Sequence, residues 1–378
     1  MSAATVRHLY VHLPFCGSRC GYCDFVTVVG RRGQHRAYVD ALLRELSVEG
    51  AVLSPTLESI FLGGGTPTFT KPTQLRRLLE SLPPAEEITV EANPETVTTE
   101  LAGLLRKAGV TRVSLGAQSF QPRLLRELDR QAGPDDVRRA VYALRDAKFD
   151  NISLDLIYGI PGQGAADLEA DLSEALALEP EHLSCYELEA KPGTRFTHAH
   201  GAELTRQSEA METYFERVVA RVTAAGYRWY ETANFCRRPQ LADGRDLRSR
   251  HNLAYWRGRD YLGLGIGAVS TIDGTRWRTT PRLGTYLSAL ARGERPPREI
   301  EALPLRVRAR ERVMLGLRLD EPLRVAGLHE AFDWAAVERL AWLGLVERDG
   351  SGGGGEAVLA LTSRGRFLGG GVTAELLA

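Results

Sequence analysis

The sequence predicts an α/β fold: a partial (β/α)6 barrel, TIM-like, followed by an α+β extension and a C-terminal module of winged-helix type. Three observations predict it. Six strand-like apolar runs alternate with five helical patterns over residues 6–186. Glycine, glutamate, glutamine and aspartate recur near the far ends of successive strands. That distribution points to one mouth shared by several strands rather than to a doubly wound sheet. The pattern then changes near residue 201 and again near residue 305, giving expected domains of 1–200, 201–304 and 305–378.

The strand candidates are 7–13, 58–64, 87–93, 112–118, 151–159 and 182–189. Helical periodicity runs around 35–49, 72–82, 98–108, 134–147 and 166–178. Val39, Leu42, Leu43 and Leu46 share one face of the first of these helices. Gly109 after Lys107 is a normal stop for the third. Strand, helix and strand at this spacing imply parallel strands with right-handed crossovers. The second region opens with an amphipathic helix over 203–226, then aromatic strand material in YRWYETANF and an exposed turn over 239–245. Gly263, Gly265 and Gly267 alternate in a strand-like stretch that a backbone or ligand approaches closely. No helix follows them in a strand–turn–helix unit, so they are not a dinucleotide loop. The last region reads as two helices and a two-stranded ribbon, with SGGGGE (351–356) as a flexible turn. Such modules often bind DNA. Here the second helix carries Glu338 and is otherwise apolar, which favours packing or a lid.

A chain of 378 residues buries a large core in two or three domains. Lys plus Arg equals Asp plus Glu at 48 each, which argues against a nucleic-acid partner. The N-terminus lacks the pattern of a signal peptide, and no run of 18 apolar residues suggests a membrane span. Three of the five cysteines sit in one loop, which is not a disulfide framework. A reducing, cytoplasmic compartment is expected.

Cys16, Cys20 and Cys23 lie in CGSRCGYC, with C-x3-C-x2-C spacing, directly after the first strand. Thiolates suit an iron–sulfur cluster or zinc. A four-iron cluster held by three thiolates leaves one iron for a small molecule. Structural zinc wants a fourth nearby ligand, and free thiols are the third reading. His12 alternates within its strand in a way that gives no reason to aim it at a metal. Cys185 reads as a buried strand residue and Cys236 as a loop residue; neither is expected to be a ligand.

GGGTPT (63–68) is either a cradle of exposed N–H donors or a tight turn shaped by Pro67 and Pro72. Glu91 and Gln118 end the third and fourth strands near the mouth. Asp155 sits inside an apolar strand and needs a partner. That partner is a ribose hydroxyl or amine, or Asp155 caps a neighbouring loop. Arg130 either grips a carboxylate or solvates a helix face.

In order along the chain, YVHLPFC, CGSRCGYC, GGGTPT, VEANPE, LGAQSF, the arginine of LDRQ, DLIYGIPGQ and PGTRF resemble a known set of motifs. They are those of radical S-adenosylmethionine (SAM) proteins of the oxygen-independent coproporphyrinogen III oxidase family. The resemblance spans essentially the whole chain. It implies that Cys16, Cys20 and Cys23 bind a [4Fe-4S] cluster whose fourth iron SAM chelates through its amino and carboxylate groups. It also implies that Tyr10, Gly64, Gly65, Thr66, Glu91, Gln118, Arg130 and Asp155 contact this cofactor or its surroundings.

The chain departs from the true oxidase at two points. Phe25 stands where the oxidase carries a further cysteine, and the stretch before the first strand is short. Both departures, with SRHNLAYWRGRDYLGLG, match the HemW-type haem-chaperone branch. His251 is then implied as a haem-binding or haem-positioning residue; otherwise it caps a loop beside Tyr255 and Trp256. Val269 stands where members often carry histidine, which leaves the mode of haem binding open. The implied partners are haem, a haem-requiring acceptor protein, soluble or membrane-associated, and an electron donor if the cluster is reduced. The alternatives are oxidative decarboxylation of coproporphyrinogen III and radical chemistry on another small substrate.

Overall fold

The computed structural model describes residues 5–189, 195–349 and 357–378. The expected turn at 351–356 and the start of the PGTRF motif lie outside the described residues. Six parallel strands form the core of the sheet: β1 (His8–Leu13), β2 (Leu57–Gly64), β3 (Ala85–Ala92), β4 (Arg112–Gln118), β5 (Ile152–Tyr158) and β6 (His182–Glu187). They pair in chain order. Three short strands extend the sheet: β7 (Tyr227–Trp229), β8 (Asn234–Arg237) and β9 (Leu262–Leu264). Its full order is β9-β1-β2-β3-β4-β5-β6-β8-β7, open between the two outer strands. It is the expected partial barrel.

Helices His35–Glu49, Pro72–Glu80, Thr99–Lys107, Pro134–Asp146 and Ala165–Ala177 fall on the predicted periodic stretches. Local chemistry starts them. The Thr98 hydroxyl accepts from the Leu101 N–H, and Asp136 and Asp167 each accept from the N–H three residues back, at 2.7 Å. An additional helix, Pro122–Glu127, lies after β4.

A parallel sheet with both faces covered by helices is apolar throughout. These strands alternate instead. Leu9, Val11, Ile60, Leu62, Val90, Leu115 and Leu154 are buried on the helix side. The register puts Tyr10, Phe61 and Thr89 in one row on the other side, and Glu91, Ser114 and Ser153 in another. Tyr10, Phe61, Glu91, Gly116 and Asp155 keep partial exposure there. The interior of the partial barrel is therefore an accessible space with a polar lining.

The long helix of the second region is Arg195–Ala224, starting before the expected 203. Cys236 lies in β8, not in a loop, and packs with Tyr230, Leu247 and Leu253. HNLAYW forms the helix Arg250–Trp256. The expected glycine-rich strand is shorter than 263–267: only Leu262–Leu264 is strand, because Gly265 and Gly267 have φ of 101° and 68° and turn the chain. The close approach is real, since a Cβ on Gly263 would lie 2.2 Å from the Val269 carbonyl oxygen.

The C-terminal module has helices Leu305–Gly316 and Trp334–Trp342. Its ribbon gains a third strand, Leu323–Arg324, beside Val358–Leu361. TSRGRFLG is not ribbon: helices Ser363–Phe367 and Gly369–Leu376 end the chain. A core of its own, including Val313, Leu323, Phe332, Val337 and Leu359, holds this module.

Candidate functional site

The cysteine loop is pinned at both ends. Phe15–Cys16 pairs in parallel with Val28–Val29, and the Gly30 N–H donates to the Cys16 carbonyl at 2.9 Å. Inside the loop the Cys23 N–H donates to the Cys20 carbonyl at 3.2 Å, and Arg19 donates to the Cys23 carbonyl at 3.0 Å. Cys16 is buried, while Cys20 and Cys23 are half-buried. Burial pushes the Cys16 and Cys23 thiols up, and the neighbouring thiols add to it. Thiolates at these positions call for a cationic partner such as a metal cluster. Among the described residues no three His, Cys, Asp or Glu side chains converge as on a single metal ion. A four-iron cluster takes each thiolate on a separate iron and does not ask for that convergence.

The glycine loop meets the cysteine loop backbone to backbone. Gly65 N–H donates to the Leu13 carbonyl and Thr66 N–H to the Phe15 carbonyl, both at 2.9 Å. Gly64 N–H donates to Glu91 Oε2 at 3.1 Å. These three donors are engaged within the protein, so the expected cradle of exposed N–H groups is not what the loop presents. Its glycines serve close approach. A Cβ on Gly65 would lie 2.5 Å from the Pro14 carbonyl oxygen and 3.0 Å from Cys16 Sγ.

A polar chain joins both loops to the strand ends. Arg130 donates to the Gly116 carbonyl at 2.7 Å and to Asn93 Oδ1 at 3.1 Å. Asn93 Nδ2 donates to Thr66 Oγ1 at 3.2 Å, and that hydroxyl donates to Cys16 Sγ at 3.5 Å. Arg130 also reaches Cys20 Sγ at 3.7 Å. Arg130 therefore faces the cysteines and does not solvate a helix face. Gln118 sits at a bulge where β4 and β5 shift register, with φ of 65°. A non-glycine residue there is uncommon and marks a constrained strand end.

Glu91 and Asp155 both face the interior. Burial, then the neighbouring Asp155, push the Glu91 carboxyl up to about 7. Burial raises Asp155 too, against the hydroxyls of Ser184 and Ser114 and the charge of Arg112. Ser114 Oγ lies 3.1 and 3.2 Å from its two oxygens. Asp155 is thus an inward strand residue and not a loop cap.

Tyr10 is on the same inner face, but its hydroxyl is engaged. The Val26 carbonyl can only accept from His12 Nε2, at 2.8 Å, so Nδ1 accepts from the Tyr10 hydroxyl at 3.0 Å. Burial lowers His12 to about 4 and keeps it neutral. It underlies Gly64, where a Cβ would meet the ring at 2.4 Å.

His251 is at the opposite end, where the strands begin. It is 2% exposed and stacks on Phe61 with centroids 5.0 Å apart. Its Nδ1 is 3.3 Å from Ser59 Oγ, which also bonds His8. Its Nε2 is buried without a partner among the described residues. Burial, then His8 and Arg112, bring it down to about 3. It closes the floor of the barrel and packs against Tyr255 at 4.9 Å.

Two participants escaped the sequence reading. Asn93 is the joint of the polar chain. Arg112, fully buried at the start of β4, faces Glu87, Glu91, Asp155 and His182, and its Nε has no partner among the described residues. The signal for Arg112 was its place two residues before Ser114 and four before Gly116, on the same face of the strand.

The profile of the Radical SAM superfamily matches residues 10–175. A protein named Heme chaperone HemW from Mycobacterium tuberculosis is 36% identical over 98% of this chain and 94% of its own length. The Bacillus subtilis protein of that name is 32% identical, over 96% and 97%. The Escherichia coli one is 36% identical, over 72% of each. Among solved structures, the coproporphyrinogen III oxidase HemN of Escherichia coli aligns with a TM-score of 0.80, covering 98% of this chain and 90% of that one at 23% identity. This last likeness shows a shared fold.

Proposed function

The chain belongs to the HemW family of radical SAM proteins, and on that premise we propose that it is a haem chaperone that binds haem and passes it to a haem-requiring acceptor protein. Cys16, Cys20 and Cys23 would hold a [4Fe-4S] cluster. SAM would take its open iron, within reach of Thr66, Glu91, Gln118, Arg130 and Asp155. A bound cluster supplies one-electron chemistry. The chain's own residues do the rest: Arg130 sets a positive charge beside Cys20, and Thr66 offers its proton to the Cys16 sulfur. Glu91 and Asp155 present acceptors to an amine or ribose. His251 enters as a positioning residue, holding Tyr255 from the barrel floor.

The observation that carries the cluster half is the hydrogen-bonded chain from Arg130 through Asn93 and Thr66 to Cys16. The chaperone half is supported by relatives of that name along nearly the full chain. Phe25 supports it too. It is 61% exposed, so packing does not call for an aromatic where the oxidase has its extra cysteine. No described helix is long and apolar enough to cross a membrane; we place the protein in the cytoplasm, meeting its acceptor there or at a membrane surface.

The test uses the full chain, reconstituted anaerobically with iron, sulfide and SAM. Haemin should bind saturably and move to an added apo-haemoprotein. Coproporphyrinogen III with a reductant should be returned unchanged. Protoporphyrinogen at turnover yield would move the chain to the decarboxylase class.

A further inference from the structure

A cleft of about 690 Å3 lies between the barrel floor and the C-terminal module. That volume falls within the roughly 300–1,000 Å3 typical of small-molecule sites. We propose that this cleft is where haem binds, with His329 as iron ligand and the arginines around Arg308 and Arg312 receiving the propionates. The proposal rests on the haem-chaperone reading and deepens it.

Shape and polarity fit a flat apolar ring. Tyr255 and Tyr261 form one wall, edge to face with centroids 4.4 Å apart. Leu305, Leu315 and Leu328 line other parts of it. The charge around this apolar space is net positive, five arginines (Arg259, Arg276, Arg306, Arg308 and Arg312) against Asp260, Glu311 and Glu330. Arg259, Arg306, Arg308 and Arg312 line it and make no ion pair among the described residues. Arg276 is already matched by Glu311 at 2.6 Å. Asp260 already accepts the Asp273 N–H at 3.1 Å. Arg312 is half-buried, and burial together with Arg259 and Arg257 opposes its charge. A dianion seated here would relieve that opposition, and guanidinium forks suit carboxylates.

The iron ligand follows by comparing donors. His329 is the only imidazole among the lining residues, on the short turn His329–Ala331. Its ring packs on Trp334 at 4.7 Å, and neither ring nitrogen is bonded among the described residues. Tyrosine ligates haem iron as phenolate. Burial pushes Tyr255 and Tyr261 away from that form. His251, in contrast, sits behind Tyr255 and does not line the cleft. The cleft also lies at the end of the sheet opposite the cysteine loop. Tyr261 leads into β9, which runs parallel to β1, and β1 ends at the cysteines. Haem held there is separated by the barrel from the cluster site.

The experiment titrates the full, cluster-loaded chain with haemin, with metal-free protoporphyrin IX and with its dimethyl ester. His329→Ala should weaken haemin about tenfold and change its electron paramagnetic spectrum, while metal-free protoporphyrin binds as before. Arg308→Glu should weaken both dianionic porphyrins about tenfold or more and leave the ester unaffected. His329 and Arg308 are exposed, so both variants should keep the parent Tm. Unchanged haemin affinity and spectrum in both variants would overturn the cleft assignment and leave haem binding standing. A parent chain with no saturable haemin binding would overturn both.

Discussion

Replacing Glu91 by glutamine should stabilise the SAM-free protein and weaken SAM binding. The carboxyl is raised from 4.5 to about 7 by burial and then by Asp155. Below about pH 4.5 it is protonated in both folded and unfolded chains, and its contribution is fully present. As pH rises toward 7 the unfolded chain releases its proton while the folded one keeps it, so stability falls and then levels off. At about 1.36 kcal/mol for each pH unit, the full shift is worth about 3 kcal/mol. Water reaching the cavity screens part of this, leaving about 1–3 kcal/mol. The introduced amide would not titrate, and its oxygen can still accept from the Gly64 N–H. Glu91→Gln should therefore match the parent near pH 4 and exceed it by about 1–3 kcal/mol near pH 8. SAM affinity should fall by about 1–3 kcal/mol, the scale of a lost charged hydrogen bond. Denaturant unfolding across that pH range, with calorimetry of SAM on the cluster-loaded chain, reads both. Parallel pH curves for the two proteins would refute the buried-charge argument. Unchanged SAM affinity would remove Glu91 from the site.

Alanine at Cys16, Cys20 or Cys23 should strip most of the iron after anaerobic reconstitution; stoichiometric zinc without iron absorption in the parent would contradict the cluster. Alanine at both Cys185 and Cys236, which are buried in apolar clusters, should keep the parent iron content; loss of a cluster's worth of iron in a folded variant would make one of them a ligand. Gly65→Ala should cost about 1–3 kcal/mol, because its Cβ would press on the Pro14 backbone and Cys16 Sγ. Its cluster should also be lost faster in air, whereas Gly33→Ala, with nothing within 4 Å of the added Cβ among the described residues, should behave as the parent.

The barrel was legible because its signals are local. Strand runs and helical periodicity are punctuated by glycine and proline, and the observed Arg112–Gln118 and His35–Glu49 coincide with the stretches expected. The cysteine spacing was legible for the same reason. What escaped depends on which strand stands beside which. Asn93 became important only when β3, β4 and the glycine loop were placed together, and the N–H groups of that loop were spent on a neighbour remote from it in sequence. The terminal helices were hidden by composition. Thr362 caps the first by accepting from the Gly365 N–H, but glycines at 365 and 369–371 are poor helix formers. Tertiary packing overrides them: Leu376 and Val372 close the module's core.

The two ends of the molecule share one column of rings. Tyr10, whose hydroxyl serves the layer beneath Gly64, lies 6.3 Å from Phe61 and 6.1 Å from His251. His251 lies 4.9 Å from Tyr255, and Tyr255 lies 4.4 Å from Tyr261 in the cleft. Removing the His251 ring therefore leaves a void that touches both the inner barrel face of Tyr10 and Phe61 and the cleft wall. It also leaves the Ser59 hydroxyl bonded to His8 alone among the described residues. A loss of haem affinity in His251→Ala would report that void as readily as a lost iron ligand. His329 and Glu91 each lie outside the column. Haemin spectra that respond to His329 and not to Glu91, with SAM binding that responds to Glu91 and not to His329, would separate the two sites. If His329 and Glu91 each moved both readouts, a single shared site at the barrel mouth would replace the two-ended arrangement.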